Sequence, residues 1–500
     1  MTTSIYNARA EAATPTDTPT AAEPAAASPA PTLVAGARTL ASRFIMLALC
    51  LAVVLSTLAF GTVHAWSLMF FVAGAGLVSV LWAADAWRTG RLRVSRNALQ
   101  WPLAGLCLLG LVQLLPFGPT GAAGELGVAP VNALTLDPYA TRFVVVQLAA
   151  LLVYFAAALV FIDSPSRLRL VVRTVTIFGF LLAVFGLLQH FVSPDQIYWL
   201  RQPNQGHPFG PFINSHHFAA YMELTLALPL GLLFAGAIER ERRFLYLFAV
   251  VLMAAALVLT NSRGGVLSLA VEVLFLFVLG GAVRRRGGEA GTGRVRGALV
   301  RAGAGVLLVL VLLGCALALG GEQSLSRLVG TVNADDPTSG RAQFWRGAVG
   351  VIKEHPIVGA GLGAFGVAYT RHDPLNGALR LEQAHNDYLQ ILADAGLVGG
   401  VLALIFVAAL ARMGLQRLGS ADKFRRGTAA GALAGCAAVL VHSFFDFPLH
   451  IISIALLFLL LAALATNDRR VEDERAARST GRRRRHATPT SRPVEPTPST

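Results

Sequence analysis

A histidine set in a basic loop between apolar runs is the part of this sequence best suited to chemistry. His385 opens the stretch EQAHNDYLQILADAGLVGG (382–400), and behind it Tyr388, Leu389, Ile391, Leu392 and Ala395 recur at helical spacing until the pattern merges into a fully apolar segment. That junction predicts an imidazole at a membrane surface, and imidazole is the side chain suited to accept a proton near neutral pH. Upstream lie Arg341, Arg346, Lys353, Arg371 and Arg380, on a loop whose neighbours on both sides read as membrane spans. The loop reads as a cationic chamber with one proton acceptor, and fixed positive charge of that kind stabilises an anion as it departs.

Three other stretches carry residues that could serve such a site. In HPFGPFINSHHFAAYMELTLALPL (207–230), Asn214 or Ser215 is placed to cap the following span, while His216 and His217 point to different sides of a helix and cannot chelate one metal together. Glu223 and Glu272 fall inside spans, where a carboxylate is costly enough to require a partner or a cavity. In LTNSRGGVLSL (259–269), a tight turn carries Arg263 beside Gly264 and Gly265; an arginine there either snorkels to the interface or forks onto a phosphate. Gly361, Gly363 and Gly366 have dinucleotide-fingerprint spacing, but they lie in a loop of a helical membrane protein and lack the strand and βαβ unit that the fingerprint needs. They are expected to permit a tight loop, with Trp345 and Tyr388 as interfacial anchors or as a platform for a sugar ring.

The elements that must position these residues are set by composition. The 500 residues are 55% hydrophobic and 14% charged, with a mean hydropathy of +0.60, and the apolar residues fall into runs near 20 residues, the length that crosses a bilayer. The expected fold is all-α, a polytopic integral membrane protein of about 12 transmembrane helices with one long extracytoplasmic loop before the last three. Spans are predicted near 44–62, 66–84, 99–116, 142–162, 173–191, 217–237, 244–260, 264–283, 302–320, 395–411, 428–446 and 449–466. The corresponding division is a disordered cytoplasmic tail (1–43), helices 1–9 (44–320), a periplasmic catalytic loop (321–394), helices 10–12 (395–466) and a basic disordered cytoplasmic tail (467–500). With both termini inside, the inner loops hold 21 Lys and Arg, whereas the short outer loops hold only Arg201 and Arg263, with Arg142 at a span edge. The net charge of +14 is thereby explained without nucleic acid, and the four cysteines, all in apolar runs, write neither a disulfide framework nor a thiolate metal site.

The SRGG turn, the run from GRAQFW to GAGLGAFG, and above all AHNDYLQILADAGLVGG resemble the O-antigen ligase and O-antigen polymerase family of bacterial envelope glycosyltransferases. The likeness extends from about 200 to 465, and the histidine–asparagine motif after a long outer loop is its most specific part. The resemblance implies transfer of a glycan from a polyprenyl-pyrophosphate donor to lipid A core or a growing polysaccharide, on the periplasmic face of the bacterial inner membrane. It makes His385 the catalytic histidine and Arg263 and Arg341 the candidates for pyrophosphate contact; Arg346, Asn386 and Asn214 complete the expected substrate-binding set. No cofactor or metal is expected, because the first outer loop, GTVHAW (61–66), has no Asp or Glu, and Asp335 and Asp336 lack companions for a hard cation. The alternative reading is a lipid-linked saccharide or polysaccharide transporter, with Glu223 and Glu272 as coupling-ion groups. The topology has a direct test. Cysteines introduced in the 321–394 loop are expected to react with a membrane-impermeant thiol reagent once the outer membrane is permeabilised, and labelling of the 284–301 loop instead would invert the orientation.

Overall fold

A computed structural model describes residues 39–117, 132–203, 206–285, 341–374 and 381–467. Among them the helices are α1 (Leu40–Leu58), α2 (Ala65–Thr89), α3 (Gln100–Gln113), α4 (Pro138–Phe161), α5 (Pro165–Val192), α6 (Ser215–Phe234), α7 (Arg243–Leu259), α8 (Arg263–Arg285), α9 (Arg341–Glu354), the short α10 (Phe365–Tyr369), α11 (Asp387–Arg417), α12 (Lys423–His442) and α13 (Ile452–Thr466). Eleven of the twelve expected spans fall on these helices, and 302–320 lies outside the described residues, as do almost all of the expected 1–43 and 467–500 tails.

Seven helices among the described residues are long and apolar enough to cross a membrane, so the protein is a multi-pass membrane protein. The remaining five of the expected 12 include 302–320, outside the described residues, and α8, which is not among the seven. α3 and α13 are apolar but only 14 and 15 residues long, and α12 carries Lys423, Arg425 and Arg426 in its first turn. A second difference concerns the long loop. Its last helix begins at Asp387, eight residues before the expected span, and runs through a break at Gly396 (φ 59°, ψ −159°) that a residue with a Cβ would rarely adopt.

Close backbone approach between α6 and α12 forms the centre of the bundle. Gly427, Gly431 and Gly435 recur at four-residue spacing on α12 and so share one face. A Cβ at Gly431 would lie 2.3 Å from the Ala227 carbonyl oxygen, one at Gly435 would lie 2.8 Å from the Ala227 Cβ, and one at Gly231 would lie 2.5 Å from the Gly427 carbonyl oxygen. Small residues at every fourth position are how helices approach in a medium that offers no hydrophobic drive between them. Along the same seam Glu223 of α6 finds the partner its position demands: its Oε1 is 2.7 Å from His442 Nδ1, with both residues fully buried.

The two ends of the bundle differ in chemistry. At one, Arg93 bridges Asp85 (2.8 Å) and Asp163 (3.3 Å), Arg167 donates to Asp163 (3.1 Å) and to Ser42 Oγ (2.7 Å), and Arg425 donates to the Asn467 carbonyl (2.8 Å). At the other, the start of α11 is tied to the 443–450 turn between α12 and α13. Asp387 accepts from Ser443 Oγ (2.8 Å) and Leu449 N (3.2 Å), its own N–H donates to the Ser443 carbonyl (2.9 Å), and its Oδ1 is 2.7 Å from His450 Nδ1. Burial alone would lower the pKa of His450, but the hydrogen bond and charge of Asp387, with Asp394 behind, raise it.

A raised histidine pKa contributes stability in full below the unfolded value, about 6.5, and that contribution disappears as pH climbs through the folded value. His450→Gln is therefore expected to lower the thermal midpoint of the purified protein more at pH 6 than at pH 9. Because a third of the His450 side chain is exposed, the difference will be modest. Equal shifts at both pH values would show that the pair carries no charge.

Candidate active site

The site forms where the start of α11 meets the 443–447 turn and the first residue of α9. Asn386 is the N-cap of α11: its Oδ1 accepts from Tyr388 N (3.0 Å) and Leu389 N (3.1 Å), and its Nδ2 donates to the Phe444 carbonyl (3.1 Å). Both ends of this amide are thus engaged by protein, as capping chemistry predicts. The residue before it, His385, has φ 50°, a left-handed conformation rare for a side chain of this size. The cap on one side and the ties of Asp387 on the other hold it there, and strain of this kind persists only when the surroundings over-determine it.

The imidazole of His385 is turned onto the neighbouring turn. Its Nδ1 lies 3.1 Å from Asp446 Oδ1, its ring meets Phe447 edge-on with centroids 4.9 Å apart, and Phe344 of α9 lies 5.9 Å away on another side. About a quarter of the side chain is exposed, whereas Asp446 is buried. The same oxygen of Asp446 accepts the N–H of Phe447 at 3.0 Å, and Oδ2 lies 3.9 Å from Nη2 of Arg341. Arg341 Nη1 donates to the Phe445 carbonyl. Burial would raise the Asp446 pKa, but the hydrogen bond with His385 and the proximity of His217, His216 and His385 outweigh it and hold the carboxyl well below the usual carboxylate range. Asp446 is held as an anion, and an anionic carboxylate can only accept a hydrogen bond here, so the ring proton sits on Nδ1 of His385. That tautomer leaves Nε2 as the ring nitrogen with an available lone pair.

Among the expected site residues, the structure brings His385, Asn386 and Arg341 together directly. Arg263 is exposed at the first position of α8. The next residue, Gly264, packs against this cluster: a Cβ there would lie 3.2 Å from both His442 Cδ2 and Phe445 Cβ. The start of α8, which bears Arg263, and Arg341 of α9 therefore meet the same Phe445–Asp446 turn. Arg346 is exposed on α9, five residues beyond Arg341. Asn214 caps α6, accepting from His216 N at 2.9 Å, and through that helix sets His217 against Phe447 with ring centroids 5.1 Å apart. Arg371, expected in the cationic chamber, instead faces Glu354 at 3.8 Å and is mostly exposed; Arg380, Asp335 and Asp336 lie outside the described residues.

The glycine run has a packing explanation. Gly361 and Gly363 have φ of 123° and 78°, and the loop they form is pressed between α4 and α11: Ala360 N donates to the Ala393 carbonyl (2.8 Å), and Gly363 N to Asp394 Oδ2 (3.2 Å). A Cβ at Gly361 would overlap Thr135 Oγ1 at 1.8 Å. Tyr388 is also accounted for: its hydroxyl donates to the Leu440 carbonyl (2.6 Å) and its ring packs on Phe444.

Asp446 was not among the expected residues. Its signal is present in HSFFDFPLH (442–450): an Asp among aromatic residues and a proline, in a turn between two apolar runs, is too costly to be accidental. Among the described residues no group of three or more His, Cys, Asp or Glu is arranged to hold a metal.

Residues 248–404 match the family model for O-antigen ligase. The match begins in α7 and ends in α11, and it contains Arg263, Arg341, Arg346, His385 and Asn386; Asn214 precedes it and Asp446 follows it. A search of curated proteins returns no match. By this match residues 248–404 carry an O-antigen ligase domain, of a glycosyltransferase-like enzyme family of envelope polysaccharide biosynthesis, within a multi-pass membrane protein.

Proposed function

We propose that the protein transfers a glycan from a polyprenyl-pyrophosphate donor to lipid A core or a growing polysaccharide, without a metal ion, on the periplasmic face of the bacterial inner membrane. The observation that carries this reading is the His385 Nδ1–Asp446 Oδ1 hydrogen bond, with Arg341 against the same carboxylate. In the reaction, His385 Nε2 takes the proton of the acceptor hydroxyl as its oxygen bonds to the anomeric carbon. The bond from that carbon to the pyrophosphate oxygen breaks, and the electron pair leaves with the lipid pyrophosphate. Asp446 holds the ring in the required tautomer and stabilises the imidazolium that forms, the role a carboxylate plays behind a catalytic histidine generally.

The leaving group departs as an anion, so fixed cations stabilise it more than a proton donor would. Arg263 and Arg341 are assigned that role, since a planar fork matches two phosphate oxygens as an ammonium cannot. Arg346, one and a half turns along α9, extends the positive charge. Asn386 serves by fixing the backbone at His385, and Asn214 by placing the α6 histidines against the turn.

Purified protein given a polyprenyl-pyrophosphate glycan and acceptor in vesicles tests the reading. His385→Ala is expected to fold and to lose transfer by a factor on the order of 10² to 10⁴, the usual range for a general acid–base group. Asp446→Asn is expected to fall by about 10² or more, because an amide can donate to Nδ1 and select the wrong tautomer. Arg341→Lys is expected to lose rate substantially despite keeping its charge, and chelator is expected to leave transfer almost unchanged. Near-normal transfer by His385→Gln would remove the histidine from the chemistry, and a metal-restorable loss in chelator would overturn the metal-independent step.

A further inference from the structure

Backbone strain in this chain is concentrated at a place the dyad does not use. Among the described residues six non-glycine positions have positive φ, and four of them are Phe60 (57°), Thr62 (65°), Tyr198 (57°) and Trp199 (59°), in the α1–α2 connection and the segment after α5. The two segments meet through their aromatic rings: Phe60 and Tyr198 are edge-on with centroids 5.5 Å apart, and Phe60 meets His64 at 5.3 Å. Arg201 is clamped between them. Its guanidinium lies over the Phe60 ring at 5.4 Å, its Nη1 is 2.8 Å from His64 Nε2, and its backbone carbonyl accepts from Ile197 N at 2.7 Å. A guanidinium only donates, so His64 Nε2 accepts from it, and burial and the Arg201 charge both lower the His64 pKa. Around this clamp two indoles stand open to the surroundings: Trp66, stacked on His64 at 6.5 Å and 48% exposed, and Trp199, 45% exposed.

We propose that Phe60, His64, Trp66, Tyr198, Trp199 and Arg201 form a saccharide-binding subsite, with Trp66 and Trp199 as stacking faces and Arg201 as the donor to hydroxyl or acidic groups of the sugar. The inference rests on the glycan-transfer reading, and it goes beyond it by naming where a chain of sugars leaves the dyad. One face of a pyranose ring presents weakly positive C–H groups, which suit the electron-rich face of an indole, while the sugar's oxygens need directed donors. Rigid aromatic rings also provide contact area with little loss of conformational freedom on binding.

A membrane-interface belt explains exposed tryptophans in general. It does not require a cation pinned between two loops or four residues held in a sparsely allowed conformation, and strain of that kind gathers at ligand sites. The α1–α2 connection also packs against the end of the turn that carries Asp446. A Cβ at Gly61 would lie 3.0 Å from the Phe212 ring and 3.2 Å from Ile451 Cγ2, and Ile451 follows His450, the partner of Asp387. Neither loop belongs to the helices that carry His385 and Asp446, so its residues can be altered without touching the chemistry.

The test uses the full chain in nanodiscs, with donor and acceptor titrated separately. Trp66→Ala combined with Trp199→Ala is expected to raise KM for one of the two glycan substrates by about 10-fold or more, with kcat within about twofold and the thermal midpoint unchanged. Trp66→Phe with Trp199→Phe, which keeps the rings, is expected to recover most of that loss. A rise confined to donor or to acceptor identifies whose sugars bind, and either supports the subsite. A second arm needs no turnover: core oligosaccharide released from lipopolysaccharide and freed of lipid is expected to quench the part of the tryptophan emission that the double Phe variant lacks. If wild-type protein transfers glycan while the double Ala variant keeps both KM values, and brominated phospholipid but not oligosaccharide quenches that emission, the cluster is a lipid-facing belt and the inference is overturned. If wild-type protein does not transfer, the glycan-transfer reading fails, whereas oligosaccharide quenching would still uphold the subsite.

Discussion

The carboxylate of Asp387 joins two stretches of chain 56 or more residues apart. It accepts from Ser443 and Leu449 and lies against His450, while the backbone N–H of Asp387 donates to the Ser443 carbonyl. Every distance at the dyad depends on that join, because His385 is two residues before Asp387 and Asp446 lies inside the 443–450 turn. A proton acceptor and its orienting carboxylate must hold their geometry to a fraction of an ångström, and here the rigidity comes from a cap, a buried carboxylate and the start of a long helix rather than from the loop itself. Asn386 repeats the same logic from the other side by capping α11 and gripping the Phe444 carbonyl with one side chain.

Beneath that join lies the α6–α12 seam. Glycines bring the two backbones into contact, and a seam without side chains leaves no slack for the end of α12 to move relative to α6. His442, the last residue of α12, is then fixed by Glu223 at 2.7 Å, and the turn bearing Asp446 begins immediately after it. A buried pair of this kind contributes little net stability over apolar packing, yet removing one member leaves an uncompensated group in the core. Its use here is positional. Glu272 of α8 is also fully buried, close enough to Glu223 to feel its charge, and neither carboxylate oxygen has a hydrogen-bond partner among the described residues.

Much of this was legible in the sequence, for physical reasons. Hydropathy placed eleven spans on helices because burial in lipid imposes a length that nothing else in the chain imitates. The cap at Asn214 was legible because an Asn before an apolar helical run readily accepts from the first free N–H groups, and the spacing rule for a helix excluded joint metal binding by His216 and His217. The limits were equally physical. α3 and α13 are shorter, and α12 more basic at its start, than the seven helices that are plainly long and apolar enough to cross a membrane, because an apolar run in sequence does not fix where a helix begins and ends. Arg371 was grouped with the site because charge was counted along the chain, while in space it answers to Glu354.

Asp446 marks the deeper limit. His385 could be singled out because it opens the helical pattern that follows it in sequence, whereas its partner arrives from 61 residues away by way of α11 and α12. Read alone, an acidic residue between Phe445 and Phe447 is merely expensive; what it is for depends on which donors the fold turns toward it. Those donors are a histidine in a strained left-handed conformation and, at longer range, an arginine from α9. An isolated buried carboxylate would neutralise, and this one remains an anion because the imidazole that needs orienting also donates a hydrogen bond to it. The dyad is thus mutually dependent: each residue makes the other's position tolerable, which is why neither the strain at His385 nor the charge at Asp446 can be explained one residue at a time.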